Sequence, residues 1–156
     1  VETKFTRTMG AVELEQLASL RLSPMIFQER VPKARELRIT VVGRRVFVAA
    51  IDSAGSVAGA DDWRADASLK ASLRPYEECP PAVIERLLAL LTHLGLNFAT
   101  VDMIVTPEGR HVFLELNTLS YFEFVERATG LPISDAIADL LLGRSPSRIA
   151  PSRLTP

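Results

Sequence analysis

Residues 98–117 read FATVDMIVTPEGRHVFLELN, two apolar runs either side of Thr106-Pro107-Glu108-Gly109. Proline at the second position of a turn and glycine at the fourth suit a type I turn, so the stretch predicts an antiparallel hairpin. Its second strand, HVFLELN, is apolar enough to be buried yet carries Glu115 and Asn117 two residues apart. If the turn is centred on Pro107 and Glu108, facing residues have numbers that sum to a constant, placing Asp102 opposite Phe113 and Thr100 opposite Glu115. Side chains alternate along a strand and opposed residues share a side, so Asp102, Phe113, Glu115 and Asn117 fall on one face. Asp102 and Glu115 are then diagonal neighbours with α-carbons roughly 7 to 8 Å apart. An odd-length loop would break this register.

Two carboxylates and an amide oxygen are hard ligands, suited to magnesium or manganese and not to zinc, for which sulfur and imidazole are expected. Magnesium takes few protein oxygens and completes its octahedron with water and substrate phosphates, so the trio points towards a nucleotide. Taken alone, the same spacing also fits a solvated strand face with a turn beginning at Asn117.

Around this hairpin the chain reads as one α+β domain. RELRITVV and RVFVAAID alternate apolar and polar residues about Gly43-Arg44, predicting a second hairpin. Pro80-Pro81 opens a helix with an apolar stripe of Val83, Ile84, Leu87, Leu88, Leu91 and Leu94, which Gly95 stops. Two further helices are expected at 121–129 and 133–142, ending at Gly130 and Gly143, and a short amphipathic one at 11–20. Residues 53–73 are small and polar and read as a long loop in which Trp63 and Arg64 stand out. The tail, 143–156, has too little apolar content to pack and is expected to be disordered.

The 156 residues suffice for one sizeable core, and 47% hydrophobic with 24% charged residues is the balance of a globular domain. A net charge of -1 leaves no electrostatic footprint for nucleic acid. No apolar run reaches the length of about 18 residues that a membrane span requires. The single cysteine, Cys79, cannot form an internal disulfide, which agrees with a reducing, cytoplasmic setting, and it has no nearby histidine to make it a nucleophile. His93 reads as a helix C-terminal residue, and His111 faces the acids only if the register holds.

The order of pieces is specific in combination. FQERVPKARELRITVVGRRVFVAAIDS, DWR, LGLNFATVDMIVTPEGRHVFLELN and TGLPISDAIADLL together resemble the C-terminal part of ATP-grasp carboxylate-amine ligases, and among them the maturases that crosslink side chains in microviridin-type ribosomal peptides. The resemblance covers roughly residues 3–142. It implies an antiparallel sheet flanked by helices, with an N-terminal domain and the lysines that grip ATP phosphates lying upstream.

Carried over by position, the resemblance implies that Gln28, Glu29, Arg30 and Val31 form a strand end that meets adenine, with Glu29 accepting from its amino group. Glu36 matches the acid at the ribose hydroxyls, with Arg38 placed to orient it by a bidentate pair. Arg64 matches a catalytic cation near the triphosphate and the acyl phosphate, and Asp102, Glu115 and Asn117 match the Mg2+ (or Mn2+) ligands. The implied reaction phosphorylates a carboxylate with ATP and lets an amine or hydroxyl of a precursor peptide displace phosphate, giving an amide or ester. A homodimer is compatible with this assignment. The alternative is a catalytically degenerate relative that binds nucleotide or peptide without turnover. Two departures stand out: related maturases continue the closing asparagine with a proline or glycine segment where this chain has NTLSYFEFVE, and Ala65-Asp66 lack the asparagine of the glutamate-adding ligases.

Overall fold

A computed structural model describes residues 6, 8–15, 17–22, 25–53 and 55–145. The elements are α1 (Ala11–Leu14), β1 (Arg35–Val42), β2 (Arg45–Ile51), β3 (Arg74–Pro75), α2 (Pro81–His93), β4 (Phe98–Val105), β5 (His111–Asn117), α3 (Glu123–Thr129) and α4 (Ile133–Leu141). The strands form one sheet in the order β3-β2-β1-β4-β5, antiparallel throughout. This is the α+β arrangement expected.

Alternation along β1 divides the molecule into two layers. Leu37, Ile39 and Val41 point to the side covered by Leu87 and Leu91 of α2, joined there by Val101 and Met103. Leu91 is fully buried, and burying a leucine contributes about 1.5 to 3 kcal/mol. Leu94, expected in the same stripe, is exposed because the helix ends at His93 and the chain reverses at Gly95, whose φ is 68°. The other face packs Val42, Phe47, Ala49 and Ile51 against Trp63, Leu69, Leu73, Val125, Ile133 and Ala136.

The β1–β2 hairpin turns on two residues, Gly43 and Arg44, between the paired Val42 and Arg45. Gly43 has φ 59° and Arg44 does not leave the negative range, which is the pattern of a II′ turn with glycine first.

Four expectations are corrected. The helix predicted at 11–20 is α1 followed by a 3-10 segment, Leu17–Arg21. α1 buries no residue, so nothing offsets the cost of nucleating a short helix. The long loop contains two 3-10 segments, Trp63–Ala65 and Ala67–Ser72, capped by Asp62 and Asp66 respectively, and leads into β3. No strand forms at Gln28–Val31: this segment is irregular and the sheet begins only where Ala34 N–H donates to Val105 O at 2.8 Å. Of the tail expected to be disordered, 143–156, residues 143–145 instead cap α4, with the Arg144 N–H donating to Asp139 O at 2.8 Å and the Gly143 N–H to Leu140 O at 3.2 Å, and 146–156 lie outside the described residues. Among the described residues no helix is long and apolar enough to cross a membrane.

Candidate functional site

The β4–β5 register differs from the expected one twice. Gly109, the fourth residue of the turn that starts at Thr106, is left-handed at φ 82° and adds one residue to the loop, so Thr106 pairs with Arg110 and Met103 with Phe113. A second shift lies between Asp102 and Met103, where Leu114 has no opposite number. Asp102 therefore stands opposite Glu115, and Thr100 opposite Asn117. Each shift alone would turn Glu115 and Asn117 to the other side; together they restore the parity, so the three predicted ligands do share a face while Phe113 is no longer opposite Asp102. His111 pairs with Val105, a residue of the α2-side core, and so belongs to the opposite side.

Asp102 is also directly opposite Arg38 across β1–β4. Arg38 Nη1 donates to Asp102 Oδ1 at 2.8 Å and Oδ2 at 2.7 Å, and its Nη2 donates to Ser120 Oγ. The expected Arg38–Glu36 pair is thus replaced, because the register gives Arg38 a facing acid while Glu36 lies two residues along the same strand. Glu36 Oε1 instead accepts from Lys33 Nζ at 2.6 Å and Ser53 Oγ at 2.8 Å. Burial pushes the Asp102 carboxyl above its ordinary range; Arg38 pulls it back and neighbouring Glu115 pushes it up again. Asn117 Nδ2 donates to Glu115 Oε1 at 2.9 Å, which leaves its carbonyl oxygen uncommitted.

Arg64 arrives from the Trp63–Ala65 segment. Asp62 caps that segment by accepting from Arg64 N–H and grips the guanidinium at both ends, Nε at 2.8 Å and Nη2 at 2.8 Å. Trp63, stacked at a tilt on Phe124 with centroids 5.9 Å apart, anchors the segment to α3. The Asp62 bond raises the Arg64 guanidinium further above its usual value, and the fields of Glu115 and Asp102 add to it, so Arg64 lies within electrostatic reach of the acid pair.

The structure thus brings Arg38, Asp102, Glu115 and Asn117 together, and the fields of Glu115 and Asp102 reach Arg64. Gln28, Glu29 and Arg30 are exposed and Val31 half-buried; Arg30 reaches the loop, its Nε 2.9 Å from Asp61 Oδ1. Sequence reasoning missed Lys33, Ser53, Asp62 and Ser120. Only Asp62 leaves a local signal, an acid two residues before the arginine it caps. Burial pushes the Cys79 thiol up, away from the reactive thiolate, as its sequence context indicated.

The donor set fits a hard divalent cation: oxygens only, from two facing carboxylates and an amide. Among the described residues no group of three or more His, Cys, Asp or Glu is placed to hold a metal, because the third member here is an amide. Among the described residues Arg38 Nε, Thr40 Oγ1 and Thr100 Oγ1, on this face of the sheet, are buried with no hydrogen-bond partner, as are Asn97 Oδ1 and His111 Nε2 elsewhere. Beyond Ser120 lies an apolar cavity of about 460 Å³ walled by Val42, Phe98, Leu119, Phe122 and Leu140.

Comparison with solved structures finds close matches. A RiPP-associated ATP-grasp ligase of Chryseobacterium gregarium, in complex with ADP and a leader and core peptide, superposes with a TM-score of 0.88 and 38% identity over 97% of this chain and 45% of that one. The macrocyclase MdnC of Microcystis aeruginosa, bound with precursor peptide MdnA, gives 0.74 and 37% over 91% and 41%. The macrocyclase MdnB of the same organism gives 0.60 and 32% over 88% and 47%. The chain spans a little under half the length of these structures. No family model and no curated protein matches it.

Proposed function

Because the chain belongs to the RiPP-associated ATP-grasp ligases, we propose that it is the C-terminal part of one and supplies half of an ATP site in an enzyme that joins side chains of a ribosomal precursor peptide. The observation that carries this reading is the facing pair Asp102 and Glu115, with Asn117 on the same face, Arg38 paired to Asp102 and Arg64 within electrostatic reach.

In this reading the backbone of Gln28, Glu29, Arg30 and Val31 meets the adenine edge, Glu29 accepts from its amino group, and Glu36 takes the ribose hydroxyls. Asp102, Glu115 and Asn117 hold Mg2+, which supplies charge neutralisation on the phosphates. A peptide carboxylate oxygen attacks the γ-phosphorus, forming the acyl–oxygen–phosphorus bond as the bridging bond to ADP breaks. An amine or hydroxyl then attacks the acyl carbon, phosphate leaves, and the nucleophile's proton passes to the phosphate or solvent. Arg64, held rigid by Asp62, stabilises the charge that develops on the transferred group, and no protein nucleophile is needed. The apolar cavity beyond Ser120 supports an acceptor side next to the acid pair. Such a reaction belongs in the cytosol, where ATP and magnesium are supplied.

The test is calorimetric titration of a non-hydrolysable ATP analogue with magnesium into the full-length enzyme, wild type against Glu115→Ala. Binding that needs both magnesium and Glu115 supports the site; no binding by the intact enzyme removes it. Metal-dependent binding with no ADP formed in the presence of precursor peptide would identify a degenerate, non-catalytic relative.

A further inference from the structure

Lys33 lies on the irregular segment before β1, yet its side chain is only 9% exposed and that of its partner Glu36 12%. An ammonium removed from water to this degree is held by geometry or not at all. Its Nζ meets Glu36 Oε1 at 2.6 Å and donates to Gly59 O at 3.0 Å. Ser53, just past β2 and fully buried, donates its Oγ to the same Glu36 oxygen at 2.8 Å. Both donors converge on Oε1, so the carboxylate is clamped by one edge and Oε2 has no bond to a donor among the described residues.

The third contact extends the clamp to the loop that carries Arg64. Gly59 sits in a tight place: its N–H donates to Ser56 Oγ at 2.9 Å, and a Cβ there would meet Leu69 Cδ1 at 2.6 Å. Ser56 Oγ in turn donates to Asp66 Oδ2 at 2.6 Å, immediately after the Trp63–Ala65 segment. The carbonyl that Lys33 grips is therefore fixed within the same loop as Asp62 and Arg64. The link from Arg30 to Asp61 runs parallel to it at the surface.

We propose that Lys33, assisted by Ser53, is a positioning residue that aims Glu36 Oε2 at the nucleotide's ribose hydroxyls and ties that grip to the Arg64 loop. This rests on the reading of Glu36 given above. Without Lys33 the carboxylate keeps one hydroxyl donor, is free to rotate, and loses the orientation that a charged bond imposes.

The test compares ATP with 2′,3′-dideoxy-ATP, each with magnesium, by calorimetry on the full-length enzyme. Wild type should bind the dideoxy nucleotide about tenfold more weakly, the scale of one lost hydrogen bond to a charged group. Lys33→Met should weaken ATP by about the same factor and leave the dideoxy nucleotide unchanged, so that the preference vanishes. Ser53→Ala, which removes only a neutral donor, should reduce the preference by a smaller factor and guards against misfolding of the first variant. Amide exchange over 55–62 should quicken in Lys33→Met and not in Ser53→Ala. Variants that keep the wild-type preference overturn the inference while leaving Glu36 at the ribose. A wild type that does not distinguish the two nucleotides instead removes the assignment of Glu36, and with it the reading beneath.

Discussion

Asp102 and Glu115 face each other directly across the β4–β5 ladder, beside the point where Leu114 is skipped. Like charges directly opposite one another destabilise a sheet, and here burial already disfavours the ionised Asp102. Glu115→Gln is therefore expected to stabilise the metal-free protein by about 0.5 kcal/mol. The same change should abolish the stabilisation that magnesium and nucleotide confer together. Thermal melts with and without both ligands check this, and a variant that melts lower than wild type in their absence would show that the pair is not strained.

Arg38 is the cation that keeps Asp102 tolerable in the interior. Arg38→Met leaves a buried carboxylate without its partner, a change expected to cost about 3 kcal/mol at neutral pH. The sign with pH follows from the direction of the Asp102 shift. A carboxyl whose folded value lies above its unfolded value loses stability as pH rises through that interval, and removing Arg38 widens the interval upwards. The penalty should thus be larger at pH 8 than at pH 5, measured by urea unfolding at both. A penalty independent of pH would mean that Asp102 is solvated in the variant.

Much of this was legible in the sequence where one physical period dominated. The α2 stripe and the two hairpins follow from spacing alone, and the shared face of Glu115 and Asn117 follows from alternation, whereas Asp102 joins that face only because two register shifts cancel. What escaped is what distant residues decide. Ser120 meets Arg38 across 82 positions and Ser53 meets Glu36 across 17, pairings that only the register creates. The 3-10 segments beside Trp63 carry apolar residues at no regular interval, so neither helical nor strand periodicity marks them. Of the two register shifts, Gly109 is visible as a glycine closing a type I turn, whereas nothing in HVFLELN singles out Leu114.

Asp62 holds Arg64 in place and caps its segment. Burial pushes its carboxyl up, but the bonds from the Arg64 side chain, the Arg64 N–H and the Thr6 N–H outweigh it, and the group sits below its usual 3.8. A depressed carboxyl stabilises fully above its unfolded value and loses that contribution as pH falls through the folded one. Asp62→Ala should cost about 1 kcal/mol at pH 7, the size of a lost cap, with the difference from wild type closing below pH 3.8. Turnover should fall further than stability, because Arg64 is released as well. Equal turnover in the variant would remove Arg64 from the phosphoryl-binding role.

Gly109 tests the hairpin itself. At φ 82° an alanine is strained, and Gly109→Ala should cost about 1 to 2 kcal/mol while keeping the register. Deleting Gly109 is a different perturbation: it shortens the loop to Pro107-Glu108 and leaves Thr106 facing Arg110, Met103 facing Phe113 and Asp102 facing Glu115. Glu115 and Asn117 therefore keep the Asp102 face, and magnesium-dependent nucleotide binding should survive the deletion. Deleting Leu116, a paired residue, instead puts Asn117 opposite Val101 on the α2 side, and binding should weaken. Calorimetry on the two variants decides it, and a folded Gly109 deletion that loses binding would show that the ladder pairing does not set the face of the acids.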